Sequence, residues 1–240
     1  MSRAAAEHAA ASLRSAIARQ GRARVVAATA ASQLAFLEQL SRAADISWPK
    51  VELFHLDEYI GLSAQHPASF RRMLREHLID KTGIATAHLL EGDGDPEQVR
   101  RRVGSELAKQ PVDVAFIGIG ENGHLAFNDP PADFVTTDPY LVVELDTASR
   151  QQQVDEGWFP KLAAVPRHAL SMSIRQILAS REILVIVPDA RKARAVRAGL
   201  EGPITPLCPA SILREHPAVT LYLDEPAASL MLGETRARYS

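Results

Sequence analysis

The chain has 240 residues and a mass of 26.1 kDa, enough to bury a full hydrophobic core, and its composition indicates one α/β domain over residues 1–240. Its 27 Lys and Arg against 29 Asp and Glu give a formal charge of −2, and the scattered basic residues argue against a nucleic-acid partner. No apolar run reaches the ~18 residues of a membrane span, and the single cysteine, Cys208, rules out an internal disulfide. We therefore expect a cytoplasmic protein without a membrane or nucleic-acid partner.

Apolar periodicity predicts strands and helices in alternation. The predicted elements are, in chain order, a helix to about residue 20, strand 24–28, helix 29–42, strand 51–56, helix 68–78, helix 96–109, strands 112–119 and 140–144, strand 181–187 with a helix after it, and strand 219–223. Alternating elements of these lengths indicate a single Rossmann-like α/β domain, with a mostly parallel sheet and helices on both faces.

The stretch from Phe116 to Pro131 carries the densest chemical signal. An apolar strand leads into three glycines that let the backbone turn sharply or approach a ligand closely: Gly118, Gly120 and Gly123. His124 then follows the carboxyl end of a parallel strand, where ligands bind in open α/β sheets. With Asn122 before it and Asp129 after it, His124 is a candidate for proton transfer near neutral pH. The alternative is a histidine packed in a loop.

Asp57 is a second candidate at a strand end. It follows the apolar strand 51–56, so we expect it half buried at the same edge of the sheet. Burial raises the pKa of a carboxylate and makes it a usable base toward a carbon-bound proton. The alternative is an aspartate that caps a helix or closes a turn, and the spacing alone does not separate the two.

Two further segments predict an anion site. Thr29 and Ser32 bring hydroxyls to the start of a helix, where backbone N–H groups and the helix dipole favour phosphate, although Ser32 could equally be a plain helix cap. Lys192 begins a later helix, a poor place for a cation unless an anion lies nearby, and the alternative is a solvated surface lysine. An anion site, a base and a histidine together suit isomerisation or ring opening of a sugar phosphate.

Two motifs resemble those of one enzyme family. The run Phe54-His55-Leu56-Asp57-Glu58-Tyr59-Ile60-Gly61-Leu62 resembles the aspartate-bearing motif of glucosamine-6-phosphate deaminases, and Gly118 to Pro130 resembles their second motif. The similarity extends from about Val25 to Leu223. It is specific for the wider family of sugar-phosphate deaminases, isomerases and 6-phosphogluconolactonases.

The resemblance implies an activity and roles for matching residues. Glucosamine 6-phosphate and water would give fructose 6-phosphate and ammonia, with Asp57 moving a proton from C2 to C1 and His124 assisting ring opening. Asp129 stands where the family usually has a glutamate that partners the histidine. The phosphate loop and lysine of the family correspond to Thr29, Ala30, Ala31, Ser32 and Lys192. No metal and no organic cofactor is implied.

The chain departs from the family pattern at several positions. Asn122 replaces a common aspartate, alanines replace glycines at 30 and 31, and the phosphate-binding arginine has no clear equivalent, although Arg150 is near. Segment 132–145 lacks the basic residues that serve allosteric activation in hexameric members, so we expect no allosteric hexamer. A homo-oligomer of another kind is compatible with the sequence. The alternatives are a 6-phosphogluconolactonase and a sugar-phosphate-binding protein without turnover.

Overall fold

The computed structural model describes residues 1–239. Its strands are β1 (Ala23–Ala27), β2 (Val51–His55), β3 (Asp57–Tyr59), β4 (Thr86–His88), β5 (Val114–Ile117), β6 (Tyr140–Glu144), β7 (His168–Met172), β8 (Glu182–Val187) and β9 (Val219–Leu223). Its α-helices are α1 (Ser2–Gln20), α2 (Leu34–Ser41), α3 (Phe70–Leu74), α4 (Asp80–Thr82), α5 (Pro96–Ala108), α6 (Thr147–Asp155), α7 (Ile174–Leu178), α8 (Ala193–Glu201) and α9 (Gly233–Tyr239). Within that range, none of the helices has the length and apolar character needed to cross a membrane.

The main sheet has six strands in the order β4-β2-β1-β5-β8-β9, and every neighbouring pair is parallel. The prediction of an α/β fold with a mostly parallel sheet is confirmed. Strand order reverses between β1 and β5, so this is the point where adjacent crossovers leave toward opposite faces and a crevice opens at the carboxyl edge.

Helices cover the main sheet on both faces because its central strands carry apolar side chains in both directions. Val25 and Phe116 point into one core, which α1 and α2 complete. Val26 and Ile117 point into the opposite core, which α5 and α8 help to close. Alternate residues of a strand face opposite sides, so a run buried throughout needs two cores. Full burial of each large apolar side chain stabilises the fold by about 1.5–3 kcal/mol.

A second sheet, which the sequence did not predict, has three antiparallel strands in the order β3-β7-β6. The predicted strand 140–144 is therefore present but lies in this sheet rather than in the parallel one, and β3, β4 and β7 were not predicted. In β6 only Tyr140 is buried; from Leu141 to Glu144 partly exposed residues alternate with exposed ones, as in an antiparallel strand that the core covers incompletely. In this sheet Asp57 pairs with Ser171, so the interpretation of Asp57 as a helix cap or turn residue is wrong.

The segment after β5 leaves the sheet earlier than predicted. The strand spans four residues rather than 112–119, because the chain turns away after Ile117. Gly118 and Gly120 then pass close to other groups, where an added Cβ would lie 2.8 Å from Gln33 Nε2 and 2.2 Å from His124 Nε2, respectively. Glycine at these two positions lets the side chains of the site reach the carboxyl edge of the sheet.

Candidate active site

A cavity of about 620 Å³ opens at the carboxyl ends of the central strands. Six of the nine residues that the sequence singled out line it: Ala30, Ala31, Ser32, Asp57, His124 and Lys192. Asn122 and Asp129 lie behind His124 and contact it by hydrogen bonds. Thr29 is fully buried, its Oγ1 has no hydrogen-bond partner, and it does not line the cavity.

Asp57 begins β3 and faces the cavity with 5% of its surface exposed. Burial, and to a lesser extent the negative charge of Glu58, raise the pKa of Asp57 well above the ordinary value of an aspartate. A carboxylate with a raised pKa is a stronger base once it is ionised. Asp57 therefore has the electrostatic character needed to accept a proton from carbon.

Glu58 fixes the backbone beside Asp57. Its carboxylate is buried and accepts hydrogen bonds from Ser69 Oγ at 2.8 Å, and from the backbone N–H groups of Phe70 at 3.2 Å and Arg71 at 2.7 Å. These donors belong to the start of α3, so one buried carboxylate joins β3 to the next helix. Burial raises the pKa of Glu58, and the same hydrogen bonds oppose that rise. This role could not be predicted from the sequence, because the donors lie 11 to 13 residues further along the chain.

The imidazole of His124 is held on one side and faces the cavity on the other. Its Nδ1 lies 3.1 Å from Asp129 Oδ1, and Ser149 Oγ, which donates to the same carboxylate, lies 3.4 Å from Nδ1. Burial would raise the pKa of Asp129, but the hydrogen bond and charge of His124, with bonds from Ser149 and Asn122, lower it to about 2. Asp129 is thus ionised at neutral pH and orients the ring, whose Nε2 lies over Gly120.

Asn122 contacts the carboxylates rather than the imidazole ring. Its Oδ1 accepts a hydrogen bond from the backbone N–H of His124 at 3.0 Å, while Nδ2 donates to Asp129 at 3.0 Å and to Asp146 at 3.2 Å. Asp146 caps α6 by accepting from the N–H of Ser149. The sequence could have revealed α6, since an aspartate before Thr147 is a helix-start signal.

The opposite end of the cavity has the features of an anion site. The turn Ala31–Gln33 begins without a side-chain cap, so the interpretation of Ser32 as a helix cap is wrong. All three residues of the turn line the cavity. Lys192 is buried, and its Nζ lies 3.7 Å from Glu121 Oε1. Burial lowers the pKa of Lys192, and Glu121 and Glu156 oppose that change. A buried ammonium with one distant carboxylate is suited to bind an anion.

Arg150 does not reach this cavity. Its Nη2 donates to the carbonyl oxygens of Leu162 at 2.8 Å and Val165 at 3.1 Å, and the side chain lines a different depression. The cavity instead contains several polar residues that the sequence did not single out: Gln152, Gln153, Glu156, Asp189, Arg191 and Asp224. They come from the end of α6, from the turn after β8 and from the end of β9, which local patterns did not connect.

Comparison with known proteins places the chain in a family. The profile described as glucosamine-6-phosphate isomerases/6-phosphogluconolactonase matches residues 1–222. The chain belongs to this family. A glucosamine-6-phosphate deaminase of Exiguobacterium sibiricum is 37% identical over 187 residues, 78% of this chain and 73% of the relative. One of Listeria monocytogenes is 34% identical over 188 residues, 78% of this chain and 79% of the relative.

Solved structures of the family have the same fold. A glucosamine-6-phosphate deaminase described as monomeric superposes with a TM-score of 0.86 at 32% identity, over 95% of each chain. A 6-phosphogluconolactonase of Thermotoga maritima superposes with a TM-score of 0.74 at 18% identity, over 91% of this chain and 92% of that one, which shows likeness of fold alone. The resemblance that the two sequence motifs predicted is confirmed.

Proposed function

We propose that this family member is an amino-sugar-phosphate deaminase/isomerase. Its substrate is glucosamine 6-phosphate or a close epimer, and its products are the ketose 6-phosphate and ammonia. The observation that carries the proposal is a single cavity with a buried aspartate of raised pKa, a histidine paired with an ionised aspartate, and a buried lysine. Relatives at 34–39% identity that are named as glucosamine-6-phosphate deaminases support it.

The phosphate group binds at the uncapped turn Ala31–Gln33 and to Lys192. Backbone N–H groups at a helix start donate to phosphate oxygens, and the ammonium supplies the opposite charge. The two alanines at 30 and 31 narrow this end of the cavity relative to the glycines that are usual in the family. Anchoring the phosphate here directs the other end of the sugar toward Asp57 and His124.

His124 opens the pyranose ring. It passes a proton to the ring oxygen while the C1 hydroxyl loses one, so the C1–O5 bond breaks and the aldehyde forms. Asp129 holds Nδ1 and supports the charged imidazolium during the transfer. Ring opening is a proton exchange between oxygens, which an imidazole can mediate because one ring nitrogen donates a proton and the other accepts one.

Asp57 then moves the proton between carbons. It takes the C2 proton while the C1 oxygen gains one, and the C2–H electrons form the C1–C2 double bond of an enolamine. Return of the proton to C1 converts the enolamine to a C2 iminium. Water adds to C2, ammonia leaves, and the ketose remains. Each step uses side chains and water, so the scheme needs no metal and no organic cofactor.

A paired assay tests the proposal. Ammonia release would be measured with glucosamine, galactosamine and mannosamine 6-phosphates, beside hydrolysis of 6-phosphogluconolactone. We expect ammonia from at least one amino sugar and no lactone hydrolysis above the uncatalysed rate. Lactonase activity without ammonia would replace the proposal with the hydrolase alternative. Binding of a sugar phosphate without either reaction would indicate a binding protein that lacks turnover.

We further propose that the protein works in the cytoplasm and without the allosteric hexamer. Segment 132–145 contains no Lys, Arg or His, so it offers no cation to an anionic activator. The related solved deaminase that is described as monomeric supports this view. Hyperbolic kinetics that do not respond to an acetylated amino-sugar phosphate, with light scattering for the molar mass, test it.

A further inference from the structure

Two cationic side chains from one turn reach the cavity, and the sequence predicted only the second. Within residues 1–239, the lysines and arginines that line the cavity are Arg191 and Lys192, both from the turn Ala190–Lys192. Lys192 is buried, whereas the side chain of Arg191 is 48% exposed at the mouth. One turn thus brings a solvent-exposed guanidinium and a buried ammonium to the same cavity.

The guanidinium of Arg191 is oriented from behind. Asp189 Oδ2 accepts hydrogen bonds from Nε at 3.1 Å and from Nη2 at 2.9 Å. Asp189 itself has φ 87°, an unusual conformation for a residue other than glycine, and Asp224 accepts from its backbone N–H at 3.1 Å. Strained backbone conformations that neighbouring residues hold in place are concentrated at functional sites. Because Asp189 holds Nε and Nη2, the third nitrogen of the guanidinium, Nη1, is left on the side of Glu121 and Glu156.

Nη1 of Arg191 lies between two carboxylates without a hydrogen bond to either. It is 3.6 Å from Glu121 Oε1 and 3.6 Å from Glu156 Oε1, beyond hydrogen-bonding distance. The ion pair with Glu121 joins side chains that are 48% and 36% exposed and contributes little to stability. The Glu156 side chain is only 11% exposed, but its Oε1 keeps a hydrogen bond from Gln152 Nε2 when Arg191 moves away. An anion with closer, better-aligned oxygens can therefore displace these contacts at small cost, since guanidinium and phosphate form strong charge-assisted bonds.

We propose that Arg191 is a second phosphate-binding residue of the site, paired with its neighbour Lys192. This inference rests on the proposed sugar-phosphate substrate. On binding, Nη1 leaves Glu121 and Glu156 and donates to a phosphate oxygen, while Asp189 keeps the guanidinium in place. Arg191 thereby supplies the arginine that the sequence did not find. Arg150 is committed to two backbone carbonyls and does not reach the cavity.

Two carboxylates, those of Glu121 and Glu156, lower the affinity of Arg191 and Lys192 for phosphate. Glu121 and Glu156 repel an approaching anion and compete for both cations, so phosphate binding is weaker than two free cations would allow. Neutralising Glu156 should therefore tighten phosphate binding, while neutralising Arg191 should weaken it. Opposite effects from two partners of one ion pair are not expected of residues that only stabilise the fold.

Calorimetry with inorganic phosphate and steady-state kinetics with glucosamine 6-phosphate test the proposal on the full chain. Arg191→Met should raise the Kd of phosphate and the KM of the substrate by about 10- to 100-fold, with a much smaller change in kcat. Arg191→Lys should recover part of the affinity. Glu156→Gln should lower the Kd of phosphate several-fold. The matched control is Arg194→Met, which removes an exposed charge on α8 and should leave both constants unchanged.

The outcomes separate this inference from the proposed function. Arg191→Met binding phosphate as tightly as wild type, with an unchanged Tm, would overturn the role of Arg191. So would a Glu156→Gln variant that binds phosphate more weakly. If wild type binds phosphate through Arg191 but releases no ammonia from any amino-sugar phosphate, the inference stands and the proposed function fails.

Discussion

Asn122 donates a hydrogen bond from Nδ2 to Asp129 Oδ1 over 3.0 Å, and Asp129 is the carboxylate that holds His124. The same Nδ2 lies 3.2 Å from Asp146 Oδ2. A neutral amide thus separates two carboxylates and donates to both. An aspartate at this position would bring three carboxylates together, and Asp129 and Asp146 would each lose the hydrogen bond that Asn122 donates. In this chain Asn122 forms hydrogen bonds with Asp146 as well as with His124.

Asn122→Asp is expected to raise the pKa of Asp129 above its present value of about 2, because a like charge replaces a donor. The low pKa of Asp129 contributes stability above the ordinary aspartate pKa that is lost as pH falls toward about 2, so the variant should be less stable at neutral pH by about 1–2 kcal/mol. Urea unfolding and carboxyl NMR titration measure both effects.

The control for that prediction exchanges the amide at position 122 with the carboxylate at position 146. Asn122→Asp with Asp146→Asn restores one amide among two carboxylates, and asparagine can still cap α6. The double variant should regain most of the lost free energy of unfolding. If the single variant were as stable as wild type, Asn122 would not be separating the carboxylates.

Asp57→Asn should lower kcat by roughly 10² to 10⁴ while leaving the Kd of a substrate analogue nearly unchanged, because the amide keeps the shape but accepts no proton. Rapid-mixing kinetics and calorimetry on the same preparation separate the two constants. Asp57→Glu is the matched control that keeps a carboxylate but moves it by one methylene. Turnover by the asparagine variant at the wild-type rate would remove Asp57 from the chemistry.

The raised pKa of Asp57 also predicts a stability change with pH. Stability due to this group is fully present below the ordinary aspartate pKa of about 3.9 and is lost as pH rises through the higher folded value. Asp57→Asn should therefore be more stable than wild type in alkaline solution and nearly equal to it below about pH 3.9. Unfolding curves across this range test the sign, and a deficit for the variant at high pH would contradict it. The acid limb of kcat/KM should also lie above the ordinary aspartate range.

Gly120→Ala should inactivate the protein by displacing one ring. The new Cβ would lie 2.2 Å from His124 Nε2, so the imidazole must leave its place beside Asp129. We expect a loss of kcat close to that of His124→Ala, with a Tm lowered by only a few degrees. Gly21→Ala is a contrasting control, since its Cβ meets nothing within 4 Å although its φ is positive. Wild-type activity in Gly120→Ala would show that the ring position is unimportant.

Lys192→Met should weaken binding of glucosamine 6-phosphate far more than that of glucosamine, since the ammonium acts as a charge on phosphate. Methionine replaces most of the buried stem without the charge. Calorimetry with both sugars measures how much affinity the variant loses for each of them. Equal losses would assign Lys192 to the scaffold of the cavity.

The sequence by itself determined the α/β class, the positions in the chain of five of the six main-sheet strands, and the strand ends that carry Asp57, His124 and Lys192. These follow from local periodicity, from glycines after a buried strand and from motifs that are contiguous in the chain. Parallel strands share one carboxyl edge, so separate segments could be expected to converge there without knowledge of the packing.

Only the tertiary structure decided which side chains meet within hydrogen-bonding distance. Asn122 faces Asp146 and Ser149 because α6 packs against the loop after β5, and that contact joins residues more than 20 positions apart. Arg191 rather than Arg150 faces the cavity because a turn with positive φ at Asp189 directs its side chain there. Side-chain direction depends on long-range packing and backbone dihedrals, neither of which a local pattern of residue types contains.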